Sequence, residues 1–353
     1  MARIDSIFRL VKEQGASDLH LGAGEAPRLR LYGQIEPIDS TPLSDAQVRE
    51  LIYEILNDEQ IQHFDRCHDL DFAYEVENFI RVRCNIYEAV RGMAGAFRIL
   101  PSRVPSLEEL GLPEGIASLG ERKRGLIVVT GPPGCGKSTT QAALLDSINK
   151  TQKRHIITIE DPVEYLHTSE LSLIHQREVN RHTESFASAL RAALREDPNI
   201  ILVGEMRDTE TVALAVTAAE TGQLVLGTLH TSSAPQTVDR IIDTFPTERQ
   251  EQVRAMLAES LRGVVAQKLL PRPDEKGMVA AVELLMGTRA VANLIRERKT
   301  HMLEGVLQAG RKEGMQTMEM AVEELLRRGT ISSETAARHG IQRGTGPTLR
   351  RVA

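Results

Sequence analysis

Tryptophan is absent from this chain of 353 residues, and aromatic residues make up only 3% of it. Proteins that grip single-stranded nucleic acid stack bases on aromatic side chains, so this scarcity weighs against such a platform. Positive charge is not in excess either. Lys and Arg number 43 against 49 Asp and Glu, a formal net charge of −6. That balance argues against holding nucleic acid by bulk electrostatics. The three cysteines, Cys67, Cys84 and Cys135, form no CxxC pair, which removes a zinc ribbon and a disulfide framework alike. No apolar run approaches the roughly 18–20 residues of a membrane span. The opening Met1-Ala-Arg-Ile-Asp-Ser meets charge too early for a signal peptide. Internal repeats are missing as well. What remains is 41% hydrophobic and 26% charged, the composition of a folded globular chain. A cytoplasmic protein of about two domains is expected, with any membrane business done through a partner.

Prolines divide the chain. Pro101, Pro105 and Pro113 make Leu100 to Glu114 read as a linker, because proline neither continues a helix nor donates to a ladder. Before it, Ile4, Ile7, Phe8 and Val11 form a helical stripe that stops at Gly15, and Val48, Leu51, Ile52 and Ile55 form another. Arg28-Leu-Arg-Leu and Ile80, Val82, Cys84, Ile86 alternate at period 2, so this half reads as a small α+β domain. After the linker, buried strands at 126–130, 155–159, 200–203 and 224–226 recur between helices. One helix carries Phe186, Ala189, Leu190, Ala193 and Leu194 on one face; another opens at Asp208 and closes before Gly222. That alternation predicts a largely parallel sheet covered on both faces. The end, from Arg343 on, reads as a solvated tail.

Gly131-Pro132-Pro133-Gly134-Cys135-Gly136-Lys137-Ser138 satisfies GxxxxGK[ST], after a buried strand and before a helix. Backbone N–H groups of such a loop form a nest for phosphate oxygens at the positive end of a helix dipole. Lys137 would reach the β- and γ-phosphates and the Ser138 hydroxyl would ligate Mg²⁺, with Thr139 next in the helix. A glycine-rich turn that binds nothing is the bland alternative, and the strand–loop–helix context disfavours it. ATP binding follows. Cys135 stands at a helix N-terminus, which would depress its thiol and make it reactive; an inert spacer is the favoured reading. Glu205 follows the strand 200–203, at the sheet edge where ligands gather, and can hold Mg²⁺ or its water. Glu160, Asp161 and Glu164 concentrate carboxylates where a water must be deprotonated, though a merely acidic turn has the same spacing. His230 ends a further strand at the same edge, as a γ-phosphate sensor or a structural histidine. Arg81 and Arg83 leave one face of a period-2 strand, and Arg98 leaves the polar face of the next.

These blocks, in this order, resemble the secretion-ATPase superfamily, and most closely the PilT-type retraction ATPases of type IV pili. The likeness rests on Ala16-Ser-Asp-Leu-His-Leu21, Arg81-Val-Arg-Cys-Asn85, the phosphate loop and Ile159-Glu-Asp-Pro-Val-Glu-Tyr165. It continues through Gln176-Arg-Glu-Val179, Ala193-Leu-Arg-Glu-Asp-Pro198, Leu202-Val-Gly-Glu-Met-Arg-Asp208, Thr228-Leu-His-Thr231 and Gly314-Met-Gln-Thr317. The resemblance implies an N-terminal PAS-like α+β domain over 1–99, a linker over 100–115 and a RecA-like ATPase core over 116–288. A helical region over 289–342 and a disordered tail over 343–353 would complete the α/β architecture. It also implies a ring of six subunits that hydrolyses ATP with Mg²⁺ and acts on a PilC-like inner-membrane platform protein at the pilus base. By position, Glu164 matches the catalytic glutamate, Glu205 the atypical Walker B glutamate and His230 the His-box histidine. Arg83 and Arg98 match arginines that reach the γ-phosphate.

Extension-type and type II secretion relatives commonly carry a tetracysteine zinc module. Here Gln267-Lys-Leu-Leu-Pro-Arg-Pro leads on to Met278-Val-Ala-Ala without a cysteine, which favours the retraction branch. Asn199, Gln223 and Ala292 depart from that branch's usual Asp, His and Arg, which leaves an accessory retraction paralogue as one alternative. An extension or secretion motor is another. From a different class, a RecA-like nucleic-acid motor is disfavoured by charge and aromatic content.

Overall fold

A computed structural model describes residues 2–31, 34–76, 80–101, 103–273 and 277–339. The tail expected from Arg343 on lies outside the described residues. The chain divides into two compact units, residues 1–103 and 104–353.

The first unit runs α1 (Arg3–Glu13), β1 (Asp18–Gly22), β2 (Arg28–Leu31), β3 (Gln34–Pro37), α2 (Asp45–Tyr53) and α3 (Asp58–Cys67). It ends with β4 (Asp69–Val76), β5 (Ile80–Ala89) and β6 (Gly92–Leu100). Its sheet has the order β3-β2-β1-β6-β5-β4, each neighbouring pair antiparallel. Helix α1 presents Ile4, Phe8 and Val11 to the core and ends with Gly15 in the left-handed conformation, as its stripe predicts. The second stripe is shorter than its period suggests: α2 stops at Tyr53, and Ile55 is buried in the turn beyond. Along β5, Ile80, Val82, Cys84 and Ile86 are buried and the residues between them are not, so Arg81 and Arg83 leave the opposite face.

The second unit begins with α4 (Glu114–Gly120), β7 (Gly125–Thr130), α5 (Lys137–Thr151), β8 (His155–Glu160), β9 (Leu173–Glu178) and α6 (Phe186–Ala193). Then come β10 (Ile200–Val203), α7 (Thr209–Thr221), β11 (Leu224–Leu229), α8 (Ala234–Asp243), α9 (Thr247–Ser260), β12 (Leu261–Pro271) and β13 (Met278–Met286). Helices α10 (Arg289–Arg296), α11 (Leu303–Ala309), α12 (Met318–Arg327) and α13 (Ser333–Arg338) close it. The sheet order is β13-β12-β7-β11-β10-β8-β9. Every pairing is parallel except β12 with β13. Strands β7, β10 and β11 are buried at every position, as strands covered on both faces must be.

Register aligns the strand ends. Val203 pairs with both Ile159 and Gly227, and Leu229 pairs with Thr130. The C-terminal ends of β7, β8, β10 and β11 therefore open at one edge, where parallel α/β sheets bind ligands.

Candidate nucleotide site

The phosphate loop leaves β7 at Thr130 and enters α5 at Lys137. Glycine is obligatory at Gly131: its φ is +143°, and a Cβ there would lie 2.3 Å from the Gln267 carbonyl oxygen and 2.6 Å from Cys135 Sγ. Gly136 caps α5 in the left-handed conformation and offers no side chain to the first turn. Helices α6, α7 and α8 are instead capped by Ser185, Asp208 and Ser233 side chains. The N–H groups of α5's first turn thus face outward with their dipole, which suits an anion.

Lys137 Nζ donates to the carbonyls of Gly131 at 2.9 Å and Pro132 at 3.2 Å, and lies 3.4 Å from His230 Nδ1. His230 Nε2 is 2.7 Å from Glu205 Oε1, and Arg207 meets Glu205 Oε2 at 2.6 Å. Burial pushes the Glu205 carboxyl up, but the hydrogen bonds from Arg207 and His230 outweigh it and hold the group below the ordinary glutamate value. Two hydroxyls fix the histidine's strand end between its neighbours: Thr130 Oγ1, at the end of β7, donates to the Thr231 carbonyl at 2.7 Å, and Thr228 Oγ1 donates to the carbonyl of Gly204, just beyond β10.

The acidic segment after β8 is not one cluster. Glu160 ends the strand itself, and its Oε1 accepts from Thr158 Oγ1 at 2.6 Å and from Gln176 Nε2 at 3.2 Å. Burial outweighs those hydrogen bonds and pushes its carboxyl up to about 7. Asp161 is exposed, and Glu164 is half-buried one residue before Tyr165. The Tyr165 hydroxyl meets Thr139 Oγ1 at 3.0 Å, so the loop bearing Glu164 is tied to the first turn of α5 beside Ser138.

Cys135 is buried, and desolvation raises its thiol despite the nearby Lys137, which favours the inert spacer over the reactive thiolate. Within the first unit, Arg83 and Arg98 stand directly opposite each other on β5 and β6. Arg98 Nε donates to Asp18 Oδ1 at 2.8 Å, across β1.

Sequence reasoning missed two residues. Gln267, buried on β12, accepts from Thr140 Oγ1 at 2.8 Å and donates to the Cys135 carbonyl, bracing the phosphate loop from the neighbouring strand. Only its distance in sequence hid it. Arg207 follows Glu205 by two and would have shown only as a charge beside an acid.

A family model described as type II/IV secretion system protein matches residues 2–352. The chain belongs to that family. This secretion ATPase is 49% identical to the type IV pilus retraction ATPase PilT of Pseudomonas aeruginosa over 94% of the chain and 96% of that protein. It is also 49% identical to a twitching motility protein of Neisseria gonorrhoeae, over 88% of the chain and 83% of that protein. A crystal structure of the pilus retraction motor PilT with bound ADP superposes with a TM-score of 0.89 at 44% identity. It covers 96% of this chain and 97% of that one. The secretion ATPase thus shares both units with these relatives, and its mixed α/β architecture with a parallel sheet is theirs.

Proposed function

We propose that this ATPase powers the retraction of type IV pili, as a cytoplasmic homohexamer at the inner-membrane face of the pilus base. It would act on a PilC-like platform protein. The reading takes residues 1–99 as the PAS-like domain, 116–288 as the RecA-like core and 289–342 as its helical extension. One observation carries it: the Lys137–His230–Glu205 chain at the aligned strand ends, beside a phosphate loop whose helix lacks a side-chain cap.

In this reading the loop from Gly131 to Thr139 binds the ATP phosphates through backbone N–H groups and Lys137. Glu164 takes the proton of the attacking water, and Arg83 and Arg98 meet the γ-phosphate of a neighbouring subunit. Among the described residues no group of three or more His, Cys, Asp and Glu forms a metal cage. Mg²⁺ fits the hard oxygens that are present, the Ser138 hydroxyl and the Glu205 carboxylate, shared with substrate phosphates and water. When bound, Mg²⁺ would offset the charge on the β- and γ-phosphates. Glu205 is ionised for that purpose by Arg207 and His230.

The test is genetic. Cells lacking the chain should keep pili extended and lose twitching, and wild-type but not Glu164→Gln protein should restore both. Loss of pili on deletion would indicate an extension motor instead. Unchanged pili and unchanged twitching would sink the reading.

A further inference from the structure

Glu164 sits in an irregular segment between β8 and β9, and one strand holds that segment still. Gln176, in the middle of β9, uses its amide three times. Nε2 donates to the Tyr165 carbonyl at 2.9 Å and to Glu160 Oε1 at 3.2 Å, while Oε1 accepts from the His167 backbone N–H at 2.8 Å. Two residues on, and so on the same face of the strand, Glu178 Oε2 accepts from the Val163 backbone N–H at 3.2 Å. The residues on either side of Glu164 are therefore both pinned to β9. The Tyr165–Thr139 contact adds a third tie, to α5.

An amide of this length is required. Glutamate at position 176 would turn lone pairs toward the Tyr165 carbonyl and the Glu160 carboxyl, and a shorter side chain would leave part-buried backbone groups without these hydrogen bonds. The three hydrogen bonds of the Gln176 amide go to the Glu164 segment and to Glu160 at the end of β8.

We propose that Gln176, backed by Glu178, is a positioning residue that sets the Glu164 carboxylate for attack on ATP. The assignment rests on Glu164 being the base. A displacement of about 1 Å in a reacting group costs on the order of 10²-fold in rate, so a small sag of this segment suffices to slow turnover.

The test compares steady-state ATPase kinetics and ADP affinity of the full chain and four variants: Gln176→Ala, Gln176→Glu, Glu164→Gln, and Gln176→Ala with Glu164→Gln. Gln176→Ala and Gln176→Glu should each lower kcat by about 10- to 10²-fold. KM for ATP and Kd for ADP should stay within about threefold, because ground-state contacts are untouched. Adding Gln176→Ala to Glu164→Gln should cost nothing further, since residues that act as one unit are not additive. Gln176→Met keeps length and volume without the hydrogen bonds, and takes the place of the alanine variant if that one does not fold. Wild-type kcat in the position-176 variants, a loss carried by KM, or a further multiplicative fall in the double variant overturns the positioning role. Wild-type turnover in Glu164→Gln overturns the base reading and this role with it. A stalled Glu164→Gln beside an unaffected Gln176→Ala overturns the positioning role alone.

Discussion

His230 donates from Nε2 to the Oε1 of Glu205 across 2.7 Å. The direction follows from its other neighbour: Lys137 Nζ lies 3.4 Å from Nδ1, and an ammonium can only donate, so Nδ1 bears the lone pair. The ring thus bridges the lysine of the phosphate loop and the carboxylate beyond β10. Anything that draws Lys137 toward phosphate changes what His230 accepts, and through it one of the two hydrogen bonds that keep Glu205 ionised. His230→Ala should leave Glu205 with Arg207 alone. One hydrogen bond to a charged group is worth about 1.5–3 kcal/mol, so kcat should fall by about 10- to 10²-fold. ADP affinity, measured by fluorescence titration, should change far less.

Binding and chemistry should separate at two other residues. Lys137→Ala removes the cationic partner of the phosphates and should weaken ATP and ADP binding together. Glu164→Gln should bind both normally and turn over about 10²–10⁴-fold more slowly, because an amide cannot take the water's proton. Equilibrium binding beside phosphate-release rates checks both, and equal turnover for Glu164→Gln and the wild type would falsify the assignment of the base.

Glu160 gives a pH signature in stability. Its carboxyl is raised from 4.5 to about 7, chiefly by burial, with the Glu164 charge adding to the rise. The folded protein therefore binds more protons there than the unfolded chain between those values. A raised acid contributes stability at low pH and loses it as pH climbs through the folded value. Stability of the wild type relative to Glu160→Gln should fall from about pH 4.5 to about pH 7 and stay level above. Denaturant melts at a series of pH values decide it; a difference that rises with pH contradicts the burial argument.

The elements legible in the sequence were those with local signals. Period and caps placed α1, α6 and α7, and mostly apolar runs placed β7, β8, β10 and β11. Strand β9 was not recognised, because as an edge strand its Leu173 and His175 are exposed and its pattern is neither alternating nor continuous. Strands β12 and β13 form an antiparallel ribbon added to a parallel sheet, a pairing that no local pattern announces. The site divides the same way. The phosphate loop is contiguous and was readable, whereas Gln267 braces it from 127 residues away. Asn199 shows the limit from the other side. The family resemblance leads one to expect Asp there, and the Asn199 Oδ1 accepts from the His155 N–H at 2.8 Å, a task either residue performs.

Gln267→Leu tests that brace. The substitution leaves the Thr140 hydroxyl and the Cys135 carbonyl without their partners in a buried position. Each orphaned group costs about 1–3 kcal/mol, so the second unit should melt several degrees lower. Saturating ADP should recover less of that loss than it adds to the wild type, since the loop that binds it is itself loosened. Calorimetry with and without nucleotide checks this, and an unchanged melting temperature would show that the brace contributes nothing.

Arg83 and Arg98 face each other across β5 and β6, an arrangement that costs stability unless an anion lies nearby. Asp18 supplies one for Arg98, through a 2.8 Å hydrogen bond with Arg30 a further 3.8 Å neighbour. Arg98 remains largely exposed despite that contact, so the pair can still serve an incoming phosphate. An arginine delivered to a transferring phosphoryl group is worth roughly 10³–10⁵ in rate. Arg83→Ala and Arg98→Ala should each therefore cut turnover heavily while leaving ATP binding in place. If the chain assembles as the proposed ring and the arginines act on the neighbouring subunit's nucleotide, two dead variants complement each other. In rings that mix Arg83→Ala with Glu164→Gln subunits, some interfaces regain an intact arginine facing an intact base, and activity should return in part. Native mass spectrometry verifies that the rings are mixed. Mixed rings as inactive as either parent would mean that the arginines and Glu164 serve the same subunit's site.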